Sequence, residues 1–238
     1  MNNLQQGCDL IRSLSQQELV NLDSLEQLIC DLGLNDEFVH EQSKSLHDIL
    51  GKGLEWRIWQ YPNQFSKYLL WLSNHASNIN NYIEIGCRYG GTFVLTVEYI
   101  KRFNPNFQSA VAVDLIERSG LLMDYDCEYL QMNSLEPTFQ DWLQNKQFEL
   151  ALIDGDHFSP GVNVDWTNLK DRTQHIVFHD INSIIFTNPE NPGVTVFWNH
   201  LKQTVANQYK FTEFCDTYSD IPAGGPFLGI GIASKINS

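Results

Sequence analysis

The spacing of apolar positions changes period along the chain. From Leu19 to Leu32 they recur every three or four residues (Leu19, Leu22, Leu25, Leu28, Ile29, Leu32), and Gly33 ends the run. This predicts an amphipathic helix. Ser15 followed by Glu18 has capping-box spacing just ahead of it. A second helix is expected from Asp36 to Leu50, carrying His40 and His47, until Gly51 and Gly53 break the pattern. Residues 1–53 therefore read as a helical extension and 54–238 as the main domain. In that domain short apolar runs alternate with helix-period stretches. Tyr82–Ile85, Ser109–Leu115, Glu128–Met132, Phe148–Ile153 and His175–Phe178 read as buried strands. Lys210–Tyr218 and Phe227–Ala233 read as a closing pair. Five alternating strands and helices followed by a hairpin predict a doubly wound α/β domain. The apolar stripe of the extension needs a covering surface: its own domain, a second copy of the chain in a homo-oligomer, or the substrate site.

The stretch Tyr82–Gly91, YIEIGCRYGG, organises the rest. It reads as strand, glycine turn and helix, with Gly86 and Gly90 where a ligand would approach the backbone closely. The helix start offers free N–H groups to a carboxylate or phosphate. The spacing does not fit the GxGxxG dinucleotide fingerprint, since Arg88 stands where a glycine is required. A carboxylate inside the strand end, Glu84, would repel a pyrophosphate and suits an ammonium group.

Charge narrows the partners. With 29 acidic and 15 basic residues the net charge is -14, which argues against nucleic acid. No apolar run approaches bilayer length and the N-terminus lacks the features of a signal peptide, so a cytoplasmic location away from membranes is expected. Five scattered cysteines without zinc spacing read as reduced thiols.

The remaining candidate chemistry lies at strand ends. Asp114 closes the second strand, where a carboxylate accepts from ribose hydroxyls or caps a helix. Asn133 and Ser134 follow the third, at an adenine edge or a helix start. Asp154-Gly-Asp-His157 follows the fourth and His179-Asp180 the fifth. Two carboxylates and an imidazole at the end of a buried strand are costly unless something binds there. Adjacent fourth and fifth strands would bring Asp154 and Asp180 together, an oxygen-rich site suited to Mg²⁺, with histidine leaving Mn²⁺ or Fe²⁺ open. His157 is tuned to take a hydroxyl proton near neutral pH. Alternatively, Asp156 and His157 brace the loop.

The glycine turn with its preceding acid resembles motif I of the class I S-adenosylmethionine (SAM) methyltransferases, whose fold is Rossmann-like with a seven-stranded sheet. IDGDH and VFHDI resemble segments of the group that includes sugar and antibiotic-tailoring O-methyltransferases and cephalosporin-hydroxylase-like proteins. The resemblance implies SAM as cofactor, bound by Glu84, Gly86, Gly90, Asp114, Asn133, Ser134 and Asp154, with Gln60 of WQYPNQF reaching it from above. It implies His157 and Asp154 as catalytic residues and Asp154, His179 and Asp180 as ligands of a divalent metal such as Mg²⁺, although His179 stands where metal-binding members carry Asp. The function so implied is O-methylation of a small hydroxylated molecule, a sugar or natural-product intermediate. The alternatives are a nicotinamide-dependent oxidoreductase, a metal-dependent hydroxylase-like role, and a non-catalytic SAM-binding or interaction subunit.

Overall fold

A computed structural model describes residues 2–35, 46, 50–183, 190, 192–216 and 228–236. The helix expected over 36–50 and most of the connections at 184–194 and 217–227 lie outside the described residues.

The sheet has seven strands in the order β3-β2-β1-β4-β5-β7-β6. They are β1 (Asn81–Ile85), β2 (Ser109–Asp114), β3 (Glu128–Gln131), β4 (Phe148–Ile153), β5 (Thr173–Phe178), β6 (Tyr209–Phe214) and β7 (Ile230–Lys235). The first five pair in parallel, and β7 inserts antiparallel between β5 and β6. Strands buried on both faces are apolar throughout, as in LALI of β4, because helices cover each side. The doubly wound architecture with a final antiparallel pair is therefore present.

The helices are α1 (Asn3–Ser13), α2 (Leu22–Leu32), α3 (Pro62–Ser73), α4 (Gly91–Phe103), α5 (Pro137–Trp142), α6 (Ser159–Leu169) and α7 (Val194–Thr204). On one face Ile11, Leu25, Phe65, Leu69 and Phe93, from α1 to α4, share a core. On the other, Phe139, Trp166, Phe178 and Trp198 form a second core under α5 to α7.

The extension departs from its expected form in two respects. Ser15 and Glu18 do exchange capping-box hydrogen bonds, but they open a 3₁₀ turn at Glu18–Val20. Asn21 then caps α2 through Ser24 N–H at 3.0 Å. The Leu stripe of α2 is buried against its own domain, mainly α3. Helix α1 was not foreseen as a separate element; its signal is Asn2 as cap and Cys8 and Ile11 on one buried face. It is tied down by Arg12, which pairs with buried Glu98 of α4 at 2.8 Å, and by Trp56, whose Nε1–H donates to Asn3 O at 3.1 Å. Gly7 lets α1 approach: a Cβ there would lie 2.2 Å from the Trp56 ring. The Trp56 carbonyl in turn packs on Gly91, where a Cβ would lie 2.2 Å from it.

Candidate functional site

Strand register sets the site. Ile85 pairs with Val113 and Ile153, and Ile153 with Phe178, so the next residues, Gly86, Asp114, Asp154 and His179, form one row at the carboxyl edge of the sheet. A cleft of ≈ 780 Å³ opens over that row. Glu84, Gly86, Gly90, Asp114, Asn133, Ser134, Asp154, His157, His179 and Asp180 all line it.

The glycine turn is shaped for close approach. Gly86 has φ 87° and a Cβ there would lie 2.1 Å from the Asp154 carbonyl oxygen; Gly90 has φ 86°. Helix α4 starts at Gly91 with no side chain capping it, so its first-turn N–H groups face the cleft end of the turn. Beneath the turn Glu84 is 1% exposed and accepts a hydrogen bond from the Tyr82 hydroxyl, two residues away on the same strand face. Burial pushes its carboxyl up to about 8, with the Tyr82 bond opposing. A buried carboxylate below a cradle of this kind fits the ammonium of an amino-acid cofactor.

Toward β2 and β3, Asp114 Oδ2 accepts from Arg88 N–H at 2.6 Å and Oδ1 from Ile116 N–H at 3.2 Å. Asn133 Oδ1 accepts from Leu135 N–H at 3.0 Å, so both side chains shape their own loops as well as facing the cleft.

Toward β4 and β5 lie two crossed pairs. His179 Nδ1 is 2.9 Å from Asp154 Oδ1, and His157 Nδ1 is 2.6 Å from Asp180 Oδ2. Burial alone would depress His179, but Asp154 and Asp180 outweigh it and lift the imidazole to about 9. The His157 ring is 44% exposed, and its bond to Asp180 raises it above an ordinary histidine against the effect of burial. Burial would raise Asp180, yet His179 and His157 hold it below the usual carboxylate range. Asp180 also has φ 59°, a conformation that costs a non-glycine residue ~1–3 kcal/mol and is found at functional sites.

Of the expected metal ligands, Asp154 and Asp180 come together with His157. One ligand atom each from Asp154, His157 and Asp180 lies within 4.8 Å of the others, and His179 is absent from that group. His179 Nδ1 lies 2.9 Å from Asp154 Oδ1 and 3.7 Å from Asp180 Oδ1, and its Nε2 is buried without a hydrogen bond. Asp180 Oδ1, also buried without a hydrogen bond, suits a cation, so the set of two carboxylates and one imidazole fits a divalent ion. Gln60, expected to reach the cofactor, is 1% exposed and lines a small recess with Tyr68 and His179 rather than the cleft. The signal that would have placed it is its neighbour Tyr61, fully buried, which turns this segment into the core before α3.

Compared with protein-family models and with curated proteins, the sequence matches none. Solved structures do match. An O-methyltransferase from Bacillus cereus in complex with S-adenosylhomocysteine (SAH) superposes with a TM-score of 0.53 at 13% identity, covering 94% of this chain and 93% of that one. MycE, the methyltransferase of the mycinamycin biosynthetic pathway, in complex with Mg, SAH and mycinamycin VI, superposes at 0.50 with 14% identity over 75% of this chain. The fold is that of the SAM-dependent methyltransferases. The chain spans 50% of the length of MycE. In this methyltransferase fold the row Gly86, Asp114, Asp154 and His179 occupies the crevice at the carboxyl ends of the strands, the place where open α/β sheets bind ligands. Sequence reasoning did not single out Arg57, Trp59 or Tyr89 as cleft residues, although all three line it. Trp59 and Tyr89 belong to different loops that meet only in the folded chain.

Proposed function

We propose that the protein is a SAM-dependent methyltransferase acting on a hydroxyl of a small molecule, a sugar or natural-product intermediate. The observation that carries this is Glu84: a carboxylate buried to 1% exposure under a two-glycine cradle, aimed at a cleft rather than at an internal cation. Glu84 holds the amino acid's ammonium, the uncapped start of α4 its carboxylate, Asp114 the ribose hydroxyls, and Asn133 with Ser134 the adenine edge. SAM supplies the electrophilic methyl group.

The acceptor end belongs to Asp154, His157 and Asp180. Asp180 receives the Nδ1–H of His157, which fixes the tautomer and leaves Nε2 to take the hydroxyl proton as the oxygen attacks. Asp154, steadied by His179, orients the acceptor. A Mg²⁺ ion held by the carboxylates of Asp154 and Asp180 would supply Lewis acidity toward the same oxygen. Methyl transfer from a sulfonium to an oxygen nucleophile disperses charge, so alignment and exclusion of water supply most of the barrier reduction, up to ~7–11 kcal/mol in favourable cases. Among the described residues no helix is long and apolar enough to cross a membrane. Cytoplasmic operation is part of the same proposal.

The test is calorimetric titration of metal-free protein with SAM and separately with NADH, each repeated with Mg²⁺. SAM binding without NADH binding supports the reading, and an effect of Mg²⁺ on acceptor binding supports the metal. Binding of NADH alone, or of neither, refutes it.

A further inference from the structure

Two arginines stand in a cleft whose other charged walls are mainly acidic. Arg57 and Arg88 line it together with Glu84, Asp114, Asp154 and Asp180. The guanidinium of Arg88 lies 4.1 Å from the Trp59 ring centroid and 5.2 Å from that of Tyr89. The guanidinium of Arg57 lies 4.9 Å from Tyr89, so one ring carries both cations. Stacking engages the face of a guanidinium, whereas hydrogen bonds to an oxyanion run from its edge, so the two uses do not compete. Arg57 makes no ion pair among the described residues.

Both arginines are held there at a cost. Their backbones have φ 54° and φ 43°, a left-handed conformation that strains a non-glycine residue. The turn at Arg88 is fixed by its N–H bond to Asp114. The whole chain carries a net charge of -14, and Arg57 and Arg88 are two fixed cations set against it in the cleft lining.

We infer that Arg57 and Arg88, propped on Trp59 and Tyr89, bind an anionic group of the acceptor, which is therefore a hydroxylated molecule bearing a carboxylate or phosphate. This rests on the methyltransferase reading above. The cofactor's single carboxylate is met by the uncapped start of α4, and two further guanidiniums exceed what it requires. Paired guanidiniums on rigid aromatic supports match a planar carboxylate or a phosphate in bidentate fashion.

The test uses matched acceptors differing by one anionic group: catechol against protocatechuate, glucose against glucuronate, and glucose against glucose 6-phosphate. Each is titrated into SAH-saturated protein by calorimetry at two salt concentrations. The expected result is that an anionic member binds more tightly by roughly tenfold or more, ~1.4 kcal/mol, with the gap narrowing in salt. Arg57→Gln with Arg88→Gln should erase the gap while the affinity for SAM changes little. Equal binding of both members of every pair, or binding of none, overturns the inference. So does a tenfold loss of SAM affinity in the double variant, which would assign the arginines to the cofactor. Failure of the wild-type protein to bind SAH refutes the methyltransferase reading separately, and the same pairs titrated into bare protein then still decide whether the arginines select anions.

Discussion

Replacing Glu84 by Gln tests both the cofactor assignment and the energetics of burying its carboxyl. The side chain is 1% exposed and its carboxyl is raised from 4.5 to about 8 by burial. At pH 7 it is therefore mostly protonated in the ligand-free protein, and must ionise to pair with an ammonium. That ionisation costs about 1.4 kcal/mol per pH unit below 8. Affinity for SAM should rise roughly fiftyfold from pH 6 to pH 8, with close to one proton released per SAM bound at the acid end. Calorimetry in two buffers of different ionisation enthalpy counts that proton, and E84Q should lose both the proton and the slope. The variant should also bind SAM more weakly by roughly 2–5 kcal/mol, the cost of removing one member of a buried charge pair. Stability should move the other way. Because the folded-state value is raised, the group favours folding below about pH 4.5 and loses that contribution as pH rises through 8, a deficit of roughly 3 kcal/mol at pH 7. Ligand-free E84Q should thus gain stability over the wild type progressively from pH 5 to pH 8. A pH-independent SAM affinity, together with a stability difference that stays constant with pH, would refute the argument.

Three other outcomes are expected. His157→Ala should lower kcat by roughly 10²–10⁴ while leaving SAM affinity nearly unchanged, as measured by methyl transfer and calorimetry, because the ring serves the acceptor end alone. Gly86→Ala should abolish SAM binding and lower the melting temperature, since its Cβ would lie 2.1 Å from a backbone oxygen at φ 87°. Glu98→Gln should cost roughly 1–3 kcal/mol at pH 7 by denaturant unfolding. Glu98 is held below its ordinary value: burial would raise it, but Lys101, Tyr125 and Arg12 prevail. Its contribution is therefore present above about pH 4.5 and is lost as pH falls through the lowered value, so the difference between wild type and variant should close in acid.

The residues that read clearly from sequence were those whose role follows from local order. The five strands announced themselves by apolar runs ended by a glycine or a polar residue, and register then carried Gly86, Asp114, Asp154 and His179 to one edge. What did not read was any relation between strand ends. Sequence placed His179 beside Asp180 as a ligand pair, but could not show that each makes its nearer contact across the strand ends, His179 with Asp154 and Asp180 with His157. Gln60 shows the same limit, because its burial depends on residues distant in sequence, such as Leu152, Val177 and Ile230, that line its recess. Helix α1 went unseen as an element because short polar helices are stabilised by what they dock against rather than by propensity.

The contact of Trp56 with both ends of the chain's first hundred residues bears on how the protein is made. Asn3 and Gly7 close on the Trp56 ring, and its carbonyl closes on Gly91. A ribosome exposing this chain releases α1 long before the glycine turn exists, so α1 waits for a partner synthesised ~50 residues later, a loop closure that long separations slow. The glycine turn is thus packed on a surface completed by α1, and loss of α1 should be read out at the cleft.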